Sequence, residues 1–453
     1  MTTFVANTEA VSFPTLFAVF LETNVLDLIG AFTNESASGF TYTTDTGYTI
    51  TVSGSGFSYT NYVLAQIPAS GTVTGLTVVH NGVTDFTVTN TSVAIDFTTW
   101  YTITTNSLGI PTGGSVHIPG PALIDAFFAG NDQITGSTLN DSLSGGAGND
   151  VILGGSGNDS IDGGSGNDSI DGGAGNNLLY GGDGNDLVSG GSGNDVLVLG
   201  NGNDTGYAGN GNNYIYAGAG DDVLVGGSGL DVLLGEDGND SIYGGAGFNY
   251  LFGGSGNDVL VGAGGSGASD VNVMFGGDGA DYLYGGAGTN YFYGGAGVDT
   301  MYGGSGLNIF VSSGETDGNV IYGGSGQNYV YGSDGGDTVT GGSGVDVFLM
   351  GSGADVINGG GGVDYAWGGG GSDIFAITDA APEVMVIEDF NAGGVNDVLN
   401  FAGTSLHSFA DVQAVSFYSP GINTTIVTDA AGNAAWLIGV APSQLDASMF
   451  TFT

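Results

Sequence analysis

A nine-residue motif repeats through the middle of this chain in the order glycine-glycine-x-glycine-x-aspartate-x-hydrophobic-x, from about residue 127 to residue 376. Residues 145–171 contain three copies in direct succession, GGAGNDVIL, GGSGNDSID and GGSGNDSID. Glycine permits the positive φ angles and the close backbone approach of a tight turn, and the three residues after the aspartate alternate as in a short strand. Each nonad therefore predicts one turn followed by one strand.

Two successive nonads predict one 18-residue coil of a right-handed parallel β-roll. Aspartates in adjacent coils then lie side by side, and their carboxylates, together with backbone carbonyl groups, can enclose an ion. Such hard oxygen ligands suit Ca²⁺ better than Mg²⁺, which tends to keep its waters, and softer metals prefer Cys or His. The repeat therefore predicts multiple calcium sites.

The predicted calcium ligands are the aspartates at position six of the nonads, supported by backbone carbonyl oxygens of the glycine turns. They are Asp132, Asp141, Asp150, Asp159, Asp168, Asp186, Asp195, Asp204, Asp222, Asp231, Asp240, Asp258, Asp281, Asp299, Asp337, Asp346, Asp355, Asp364 and Asp373.

The repeat resembles that of the repeats-in-toxin (RTX) family, whose members bind calcium in parallel β-rolls. This resemblance implies an extracellular protein, exported by the type I secretion machinery. The segment Ile387–Phe390 and the terminal Met449–Thr453 resemble the carboxy-terminal cap and uncleaved secretion signal of RTX exoproteins such as serralysin.

The charge balance independently indicates a need for cations. The chain has no Lys or Arg against 46 Asp plus Glu, for a formal net charge of −46. A compact state with this charge repels itself unless bound cations compensate, so we predict a chain that is largely unstructured in chelator and folded in millimolar calcium. An acidic, halophile-like surface would explain the excess acid but not its placement every nine residues.

The same composition excludes several classes of protein. Without basic residues the chain has nothing to hold the phosphates of nucleic acid or anionic lipid. The absence of Cys excludes disulfides, zinc-thiolate sites and thiol nucleophiles. Met1 is followed by no positive segment, and the apolar run Leu16–Leu21 is too short to span a bilayer, so we expect neither a cleavable signal nor membrane insertion.

Three regions of an all-β protein are predicted. Residues 1–126 contain no nonads and alternate apolar with polar residues, which indicates an antiparallel β domain that could contact other copies or the cell envelope. A helix is predicted before it, over Phe17–Ile29. Residues 127–376 form the calcium-binding β-roll, and residues 377–453 form a β cap that also carries the type I secretion signal.

Alternate nonads must lie on opposite sheets of the roll, and the two sets differ at position six. One set has aspartate at nearly every copy, with Asn319 as the exception, and the other has many asparagines, at residues 177, 213, 249, 272, 290, 308 and 328. An asparagine carbonyl can coordinate an ion but carries no charge. On this side we therefore expect either weaker calcium binding or side-chain amide hydrogen bonds along the ladder.

Positions seven and nine should point outward and position eight inward. On the Asn-rich sheet the outward positions are apolar or aromatic and carry no charge, for example Tyr250 and Phe252, Tyr291 and Tyr293, and Tyr365 and Trp367. Such a face calls for a cover, which could be another copy of the chain, the amino-terminal domain, or a carbohydrate or apolar ligand. Alternatively, valine and tyrosine are present only because they form strands well.

Catalysis finds little support in the sequence. His80, His117 and His407 are far apart, and none lies in a His-Glu-x-x-His segment. We therefore predict that the chain is no enzyme but a secreted, calcium-dependent structural protein that self-assembles at the bacterial cell surface as a surface layer, sheath or filament. The alternatives are an adhesin or carbohydrate-binding exoprotein that contacts a cell-surface polysaccharide, and a secreted enzyme with its site in residues 1–126.

Overall fold

A computed structural model describes residues 3–6, 33–36, 39–43, 48–62, 65–80, 83–95, 101–105, 111–116, 130–136, 138, 140–262, 269–312, 314, 316–378, 382–391 and 396–452. The chain divides into two compact units, Met1–Gly218 and Ala219–Thr453. The helix predicted over Phe17–Ile29 lies outside the described residues.

The amino-terminal strands pair antiparallel, as the alternating pattern of residues 1–126 predicts. Tyr48 lies opposite His80, and His80 lies opposite Val83 across the next hairpin. The described strands of this segment are β1 (Thr3–Ala6), β2 (Thr33–Ser36), β3 (Gly39–Thr43), β4 (Tyr48–Tyr62), β5 (Ala65–His80), β6 (Val83–Ile95), β7 (Tyr101–Thr105) and β8 (Pro111–Val116).

The nonads of the first unit form parallel strands whose partners lie one coil apart. Ser160 pairs with Leu178, and Ser169 pairs with Leu187, each 18 residues further along the chain. The strands are β9 (Gln133–Thr135), β10 (Ser142–Ala147), β11 (Val151–Leu153), β12 (Ser160–Ser165), β13 (Ser169–Asp171), β14 (Leu178–Asp183), β15 (Leu187–Ser192), β16 (Val196–Asn201), β17 (Thr205–Asn210) and β18 (Asn213–Ala219).

The nonads of the second unit repeat the same arrangement and accommodate two insertions. Asn249 pairs with Asn272, 23 residues on, so the extra residues near 262–266 leave the register intact. The strands are β19 (Val223–Asp237), β20 (Ser241–Ser255), β21 (Val259–Val261), β22 (Val271–Asp278), β23 (Tyr282–Gly286), β24 (Thr289–Ala296), β25 (Thr300–Gly304), β26 (Leu307–Val311), β27 (Val320–Gly324), β28 (Gln327–Tyr331), β29 (Thr338–Gly342), β30 (Val347–Leu349), β31 (Val356–Gly360), β32 (Gly362–Trp367) and β33 (Ile374–Ala376).

A single row of apolar side chains from each sheet fills the interior of the roll. Ile152, Ile161 and Leu251 at position eight are fully buried. In the second unit larger side chains also occupy this position, and the rings of Phe292 and Phe310 stack with centroids 4.5 Å apart. The prediction that position eight points inward is confirmed, and each coil buries roughly two large side chains, which contribute about 1.5–3 kcal/mol each.

Glycines at positions two and four are required by the turns. Gly164 and Gly166 have φ angles of 104° and 118°, in the region that L residues with side chains rarely adopt. A side chain at Gly164 would also collide with the carbonyl oxygen of Gly146 in the preceding coil. Glu236 takes the same conformation with a φ of 75° where the motif normally has glycine.

The carboxy-terminal strands continue both sheets beyond the last nonad. Val384 pairs with Val363 and with Ala434 on one sheet, and Leu399 pairs with Phe375 and Phe450 on the other. The elements are β34 (Glu383–Ile387), β35 (Val398–Asn400), the short helix α1 (Phe409–Val415), β36 (Phe417–Ser419), β37 (Thr424–Thr428), β38 (Ala434–Ile438) and β39 (Phe450–Thr451). They form the β cap of the all-β parallel roll that the repeat predicts.

Candidate calcium sites

The position-six aspartates turn inward at the end of each turn and are buried. All of the predicted aspartates have 4% or less of their surface exposed. In Asp168, Oδ1 accepts a hydrogen bond from the backbone N–H of Asp150 at 2.7 Å. Its Oδ2 is buried and has no hydrogen-bond partner among the described residues. One oxygen of the carboxylate thus joins neighbouring coils, and the other remains available.

This arrangement recurs along both units. The aspartates whose buried Oδ2 has no hydrogen-bond partner within the described part of the chain include Asp150, Asp159, Asp168, Asp186, Asp195, Asp240, Asp258, Asp281, Asp346, Asp355, Asp364 and Asp373. A buried carboxylate oxygen without a hydrogen bond costs free energy. Because the same oxygen is left unsatisfied in so many coils, we expect one kind of ligand to bind at all of these positions.

At several of these turns a backbone carbonyl oxygen of the neighbouring coil faces the same point as the free Oδ2. A Cβ atom placed on Gly154, the first residue of its nonad, would lie 2.6 Å from Oδ2 of Asp159 and 2.6 Å from the carbonyl oxygen of Gly172. The equivalent point at Gly163 is 2.5 Å from Oδ2 of Asp168 and 2.6 Å from the carbonyl oxygen of Gly181. Two oxygens with no hydrogen between them therefore converge at these aspartate turns.

The convergence of oxygens fits calcium, which takes carboxylate and carbonyl ligands together. Among the residues that the structure describes, no three Asp, Glu, His or Cys side chains come together. Each candidate site described above therefore combines one aspartate with a backbone carbonyl group of the neighbouring coil. Bound calcium supplies the positive charge that the chain cannot supply itself, because it has no Lys or Arg.

Burial raises the pKa of these carboxyl groups, as expected for sites that lack a neighbouring positive charge. Burial raises the pKa of Asp168, Asp281 and Asp355 from 3.8 to about 7. It raises the pKa of Asp150 and Asp240 to about 6, with the charge of neighbouring aspartates adding to the effect. Without a cation these groups therefore keep a protonated fraction at a higher pH than an ordinary aspartate does, and a bound cation would favour the ionised form.

We call the position-six residues Asp222, Asp240, Asp258, Asp281, Asp299, Asn319, Asp337, Asp355 and Asp373 of the second unit the Asp ladder, and Asp231, Asn249, Asn272, Asn290, Asn308, Asn328, Asp346 and Asp364 the Asn ladder. Their strands belong to the Asp sheet and the Asn sheet. The two ladders differ in how position six is satisfied.

The asparagines of the Asn ladder hydrogen-bond to one another through their side chains. Nδ2 of Asn272 donates to Oδ1 of Asn290 at 2.9 Å, and Nδ2 of Asn290 donates to Oδ1 of Asn308 at 2.9 Å. The row continues through Asn328, whose Nδ2 donates to Oδ1 of Asp346 at 2.8 Å. Of the two alternatives that the sequence leaves open, the amide ladder is therefore present.

The asparagine amides also reach the carbonyl groups that face Oδ2 at the aspartates. Nδ2 of Asn177 donates to the carbonyl oxygen of Gly190 at 3.2 Å, and Nδ2 of Asn308 donates to that of Gly323 at 3.3 Å. At an asparagine, the amide hydrogen lies between Nδ2 and the carbonyl oxygen. At an aspartate, a cation would lie at the equivalent place, between Oδ2 and the carbonyl oxygen. Asparagine therefore satisfies the turn without metal.

The Asp ladder is interrupted at one place. Asn319 stands at position six, and the next residue of the ladder, Asp337, has both carboxylate oxygens engaged. Oδ2 of Asp337 accepts from the backbone N–H of Ser333 at 2.8 Å, and the Ser333 hydroxyl donates to the same carboxylate at 3.2 Å. Asp337 is thus the predicted ligand whose surroundings least resemble those of the others.

Two further carboxylates extend the ladders into the cap. Oδ1 of Asp397 accepts from the backbone N–H of Asp373 at 3.1 Å, as the next aspartate of the Asp ladder would. Glu383 is fully buried beside Asp364, and burial raises its pKa from 4.5 to about 8. Both lie outside the nonads, so the period-nine pattern cannot find them; only the cap strands place them.

The fold and these sites define a calcium-binding parallel β-roll protein with many sites. A family model, the RTX calcium-binding nonapeptide repeat, matches more than half of the chain. The matched segments are residues 128–161, 162–197, 199–233, 234–268, 272–310, 313–348 and 351–375. The chain belongs to this family, and its cofactor is calcium, as the aspartate pattern predicts.

The other comparisons contribute less. A solved structure, the extracellular lipase LipA from Serratia marcescens, is similar with 17% sequence identity and a TM-score of 0.23, over 54% of this chain and 40% of the lipase. The chain thus spans less than half of the lipase's length. No curated protein sequence matches the chain.

Two statements on location and activity follow from these findings. RTX repeat proteins are typically secreted, and none of the helices within the described residues is long and apolar enough to span a membrane. The β-roll repeats are typical of non-catalytic domains. That the whole chain lacks enzymatic activity stays a prediction.

Proposed function

We propose that this chain is a secreted, calcium-dependent structural protein that self-assembles at the bacterial cell surface as a surface layer, sheath or filament. The observation that carries the proposal is an uncharged apolar outer face on the Asn sheet. In the second unit, every outward position of this sheet from Val232 to Trp367 is aromatic or aliphatic.

The side chains of this face are ordered into rows and remain accessible. The rings of Phe252, Phe275 and Tyr293 stack in succession with centroids 4.9 Å and 4.6 Å apart. Further along the sheet Tyr331 is 41% exposed and Leu349 is 38% exposed. A continuous apolar surface of this kind is uncommon on a monomer and typical of an interface.

The Asp sheet carries a second aromatic row, which the sorting of nonads by sequence overlooks. Tyr284, Tyr302 and Tyr322 stack on its outer surface with centroids 4.8 Å and 5.0 Å apart. Serine and threonine residues such as Ser241, Thr300 and Thr338 also lie at outward positions of this sheet, so the face is less apolar than that of the Asn sheet. Apolar rows on both outer faces favour contacts with two further copies rather than one closed pair.

Calcium would act as the switch for assembly. Export of the unfolded chain through the type I secretion machinery passes from low cytosolic calcium to the millimolar calcium outside, where the aspartates of the roll can ionise around the metal. Folding then creates both apolar faces at once. Assembly inside the cell is prevented because neither face exists before calcium binds.

The second candidate is an adhesin that binds a cell-surface polysaccharide. The Tyr284–Tyr302–Tyr322 row favours it, because a flat row of exposed rings can stack on sugar rings, and Tyr322 is 42% exposed. Binding of the calcium-loaded monomer to glycans, without formation of polymers, would favour this function over assembly.

Electron microscopy of the full chain, dialysed from EDTA into about 5 mM calcium, tests the proposal. This calcium concentration is above the dissociation constants of extracellular calcium modules. We expect ordered sheets or filaments that dissolve again in chelator. Leu349→Glu should prevent their formation because it places charge in the apolar face. Val298→Glu, at a turn where Val298 is 54% exposed, is the matched control and should assemble normally. Dispersed monomers in calcium would contradict the proposal.

A further inference from the structure

The last turn of the Asn ladder ends on a glutamate instead of a glycine carbonyl. One coil earlier, a Cβ atom on Gly341 would face Oδ2 of Asp346 and, at 2.7 Å, the carbonyl oxygen of Gly359. A Cβ atom on Gly359 would face Oδ2 of Asp364 and, at 2.9 Å, Oε1 of Glu383. Glu383 therefore takes the place of the oxygen that the next coil would provide.

Within the described residues both facing oxygens lack a hydrogen-bond partner, although the backbone N–H groups of Gly359 and Gly360 lie near the Glu383 carboxylate. The other oxygen of each carboxylate is engaged. Oδ1 of Asp364 accepts from the backbone N–H of Asp346 at 2.9 Å, and Oε2 of Glu383 accepts from that of Thr378 at 3.2 Å. Oδ2 of Asp364 and Oε1 of Glu383 are buried without a hydrogen-bond partner in the described part of the chain. Both residues are fully buried.

Two buried carboxylates that face each other require a positive charge between them. The chain has no Lys or Arg to provide it. We infer that Asp364 and Glu383 together hold a divalent cation, Ca²⁺ under extracellular conditions, in a site that differs from the other sites of the repeats because its second ligand is a carboxylate from outside the nonads. A roll site has one carboxylate facing a neutral carbonyl, whereas this one has two carboxylates, so it should bind calcium more tightly.

The site also joins two structural elements. Asp364 belongs to β32 of the roll, and Glu383 begins β34 of the cap, which pairs with β32 and with β38. A cation held by both residues fastens the cap to the last coil of the Asn ladder. The asparagines of that ladder, from Asn249 to Asn328, satisfy their turns with amide hydrogen bonds, so this metal site lies at the end of a row that otherwise needs little metal.

The test is a calcium titration of the full chain against a chromophoric chelator, with Glu383→Gln as the variant. The wild-type chain should bind one calcium ion more tightly than the others. In Glu383→Gln the affinity for that ion should fall at least about tenfold, or 1.4 kcal/mol. Glu388→Gln, a half-buried glutamate of the same segment, makes the same change of charge and should leave the titration unchanged.

Asp364→Asn provides a second variant. Its amide would donate to Oε1 of Glu383, as the amides of the Asn ladder donate to glycine carbonyls, so the chain should lose the same calcium and still fold. An unchanged titration in both variants would overturn the inference and indicate that the two carboxyl groups share a proton. Failure of both variants to fold at saturating calcium would also overturn it, because the amide should replace the contact through the metal.

Discussion

Nδ2 of Asn328 donates a hydrogen bond to the carbonyl oxygen of Gly341, 3.0 Å away in the next coil. At an aspartate the same place holds an oxygen, as where Oδ2 of Asp159 and the carbonyl oxygen of Gly172 face one point. Exchange of one nitrogen for one oxygen thus decides whether a turn is satisfied by the protein or requires a cation. This difference leads to four predictions.

Removal of calcium should unfold the roll. The row of buried carboxylates cannot be ionised and unpaired at neutral pH without a large desolvation cost, and the formal charge of −46 adds repulsion. Far-UV circular dichroism should show a largely unstructured chain in EDTA and a β spectrum in millimolar calcium, reversibly. A spectrum that chelator leaves unchanged would contradict the need for metal.

Asp281→Asn should reduce the dependence on calcium. The amide would donate to the carbonyl oxygen of Gly294, which faces Oδ2 of Asp281 in the wild-type chain. We expect the loss of one bound calcium. At a fixed, subsaturating calcium concentration at which the wild-type chain is still folded, we also expect a gain of about 1–3 kcal/mol in the free energy of unfolding, the cost of an unsatisfied buried polar group. Urea unfolding and calcium counting measure the two effects.

The matched control for this substitution is Asp278→Asn, an exposed aspartate in the same nonad. It removes the same charge but no ligand, so its calcium count should equal that of the wild-type chain. Equal gains in stability from both variants would show that relief of net charge, and not the geometry of position six, is the cause.

Asn328→Asp should have the opposite effect. The substitution removes the hydrogen bonds from Nδ2 to Gly341 and Asp346 and leaves two oxygens facing each other. At a fixed, subsaturating calcium concentration at which the wild-type chain is folded, the variant should be less stable by about 1–3 kcal/mol, and saturating calcium should restore the loss with one more ion bound. Gln327→Glu, next to it and exposed, is the control for the added charge. A destabilisation that calcium does not reverse would count against a new site.

Calcium affinity should rise with pH. Burial raises the pKa of Asp168, Asp281 and Asp355 from 3.8 to about 7 in the metal-free roll. The pKa of each group is higher in the folded roll than in the unfolded chain, so protonation stabilises the metal-free roll. This stabilisation is complete at a pH below the pKa of the unfolded chain, and it is lost as the pH rises through about 7. Calcium needs the ionised groups, so binding should tighten over the same range. Calorimetric titrations at about pH 5.5 and 7.5 measure this, and tighter binding at the lower pH would contradict it.

The period-nine pattern determines most of the fold. It places Ile152 and Phe292 inside the roll, pairs Ser160 with Leu178 one coil apart, and separates aspartate from asparagine turns, all as the structure has them. These features follow from a backbone that repeats itself, so each residue's surroundings are set by its position in the nonad.

Features that break the period could not be predicted from it. Glu383 reaches the end of the Asn ladder only because β34 pairs with β32, and Asp397 reaches Asp373 only because β35 continues the other sheet. The Ser333 hydroxyl donates a hydrogen bond to the Asp337 carboxylate. It comes from a turn, beginning at Gly332, whose sequence departs from the motif. In each case a contact outside the repeat decides the chemistry.

The most direct test is a crystal structure of the calcium-loaded chain with anomalous scattering recorded for calcium. Peaks should lie along the Asp ladder, between Oδ2 of residues such as Asp258 and Asp281 and the glycine carbonyl groups that face them, and none should lie along the row from Asn249 to Asn308. Peaks of equal height along both ladders, or none along the Asp ladder, would contradict the assignment of the metal to the aspartate turns.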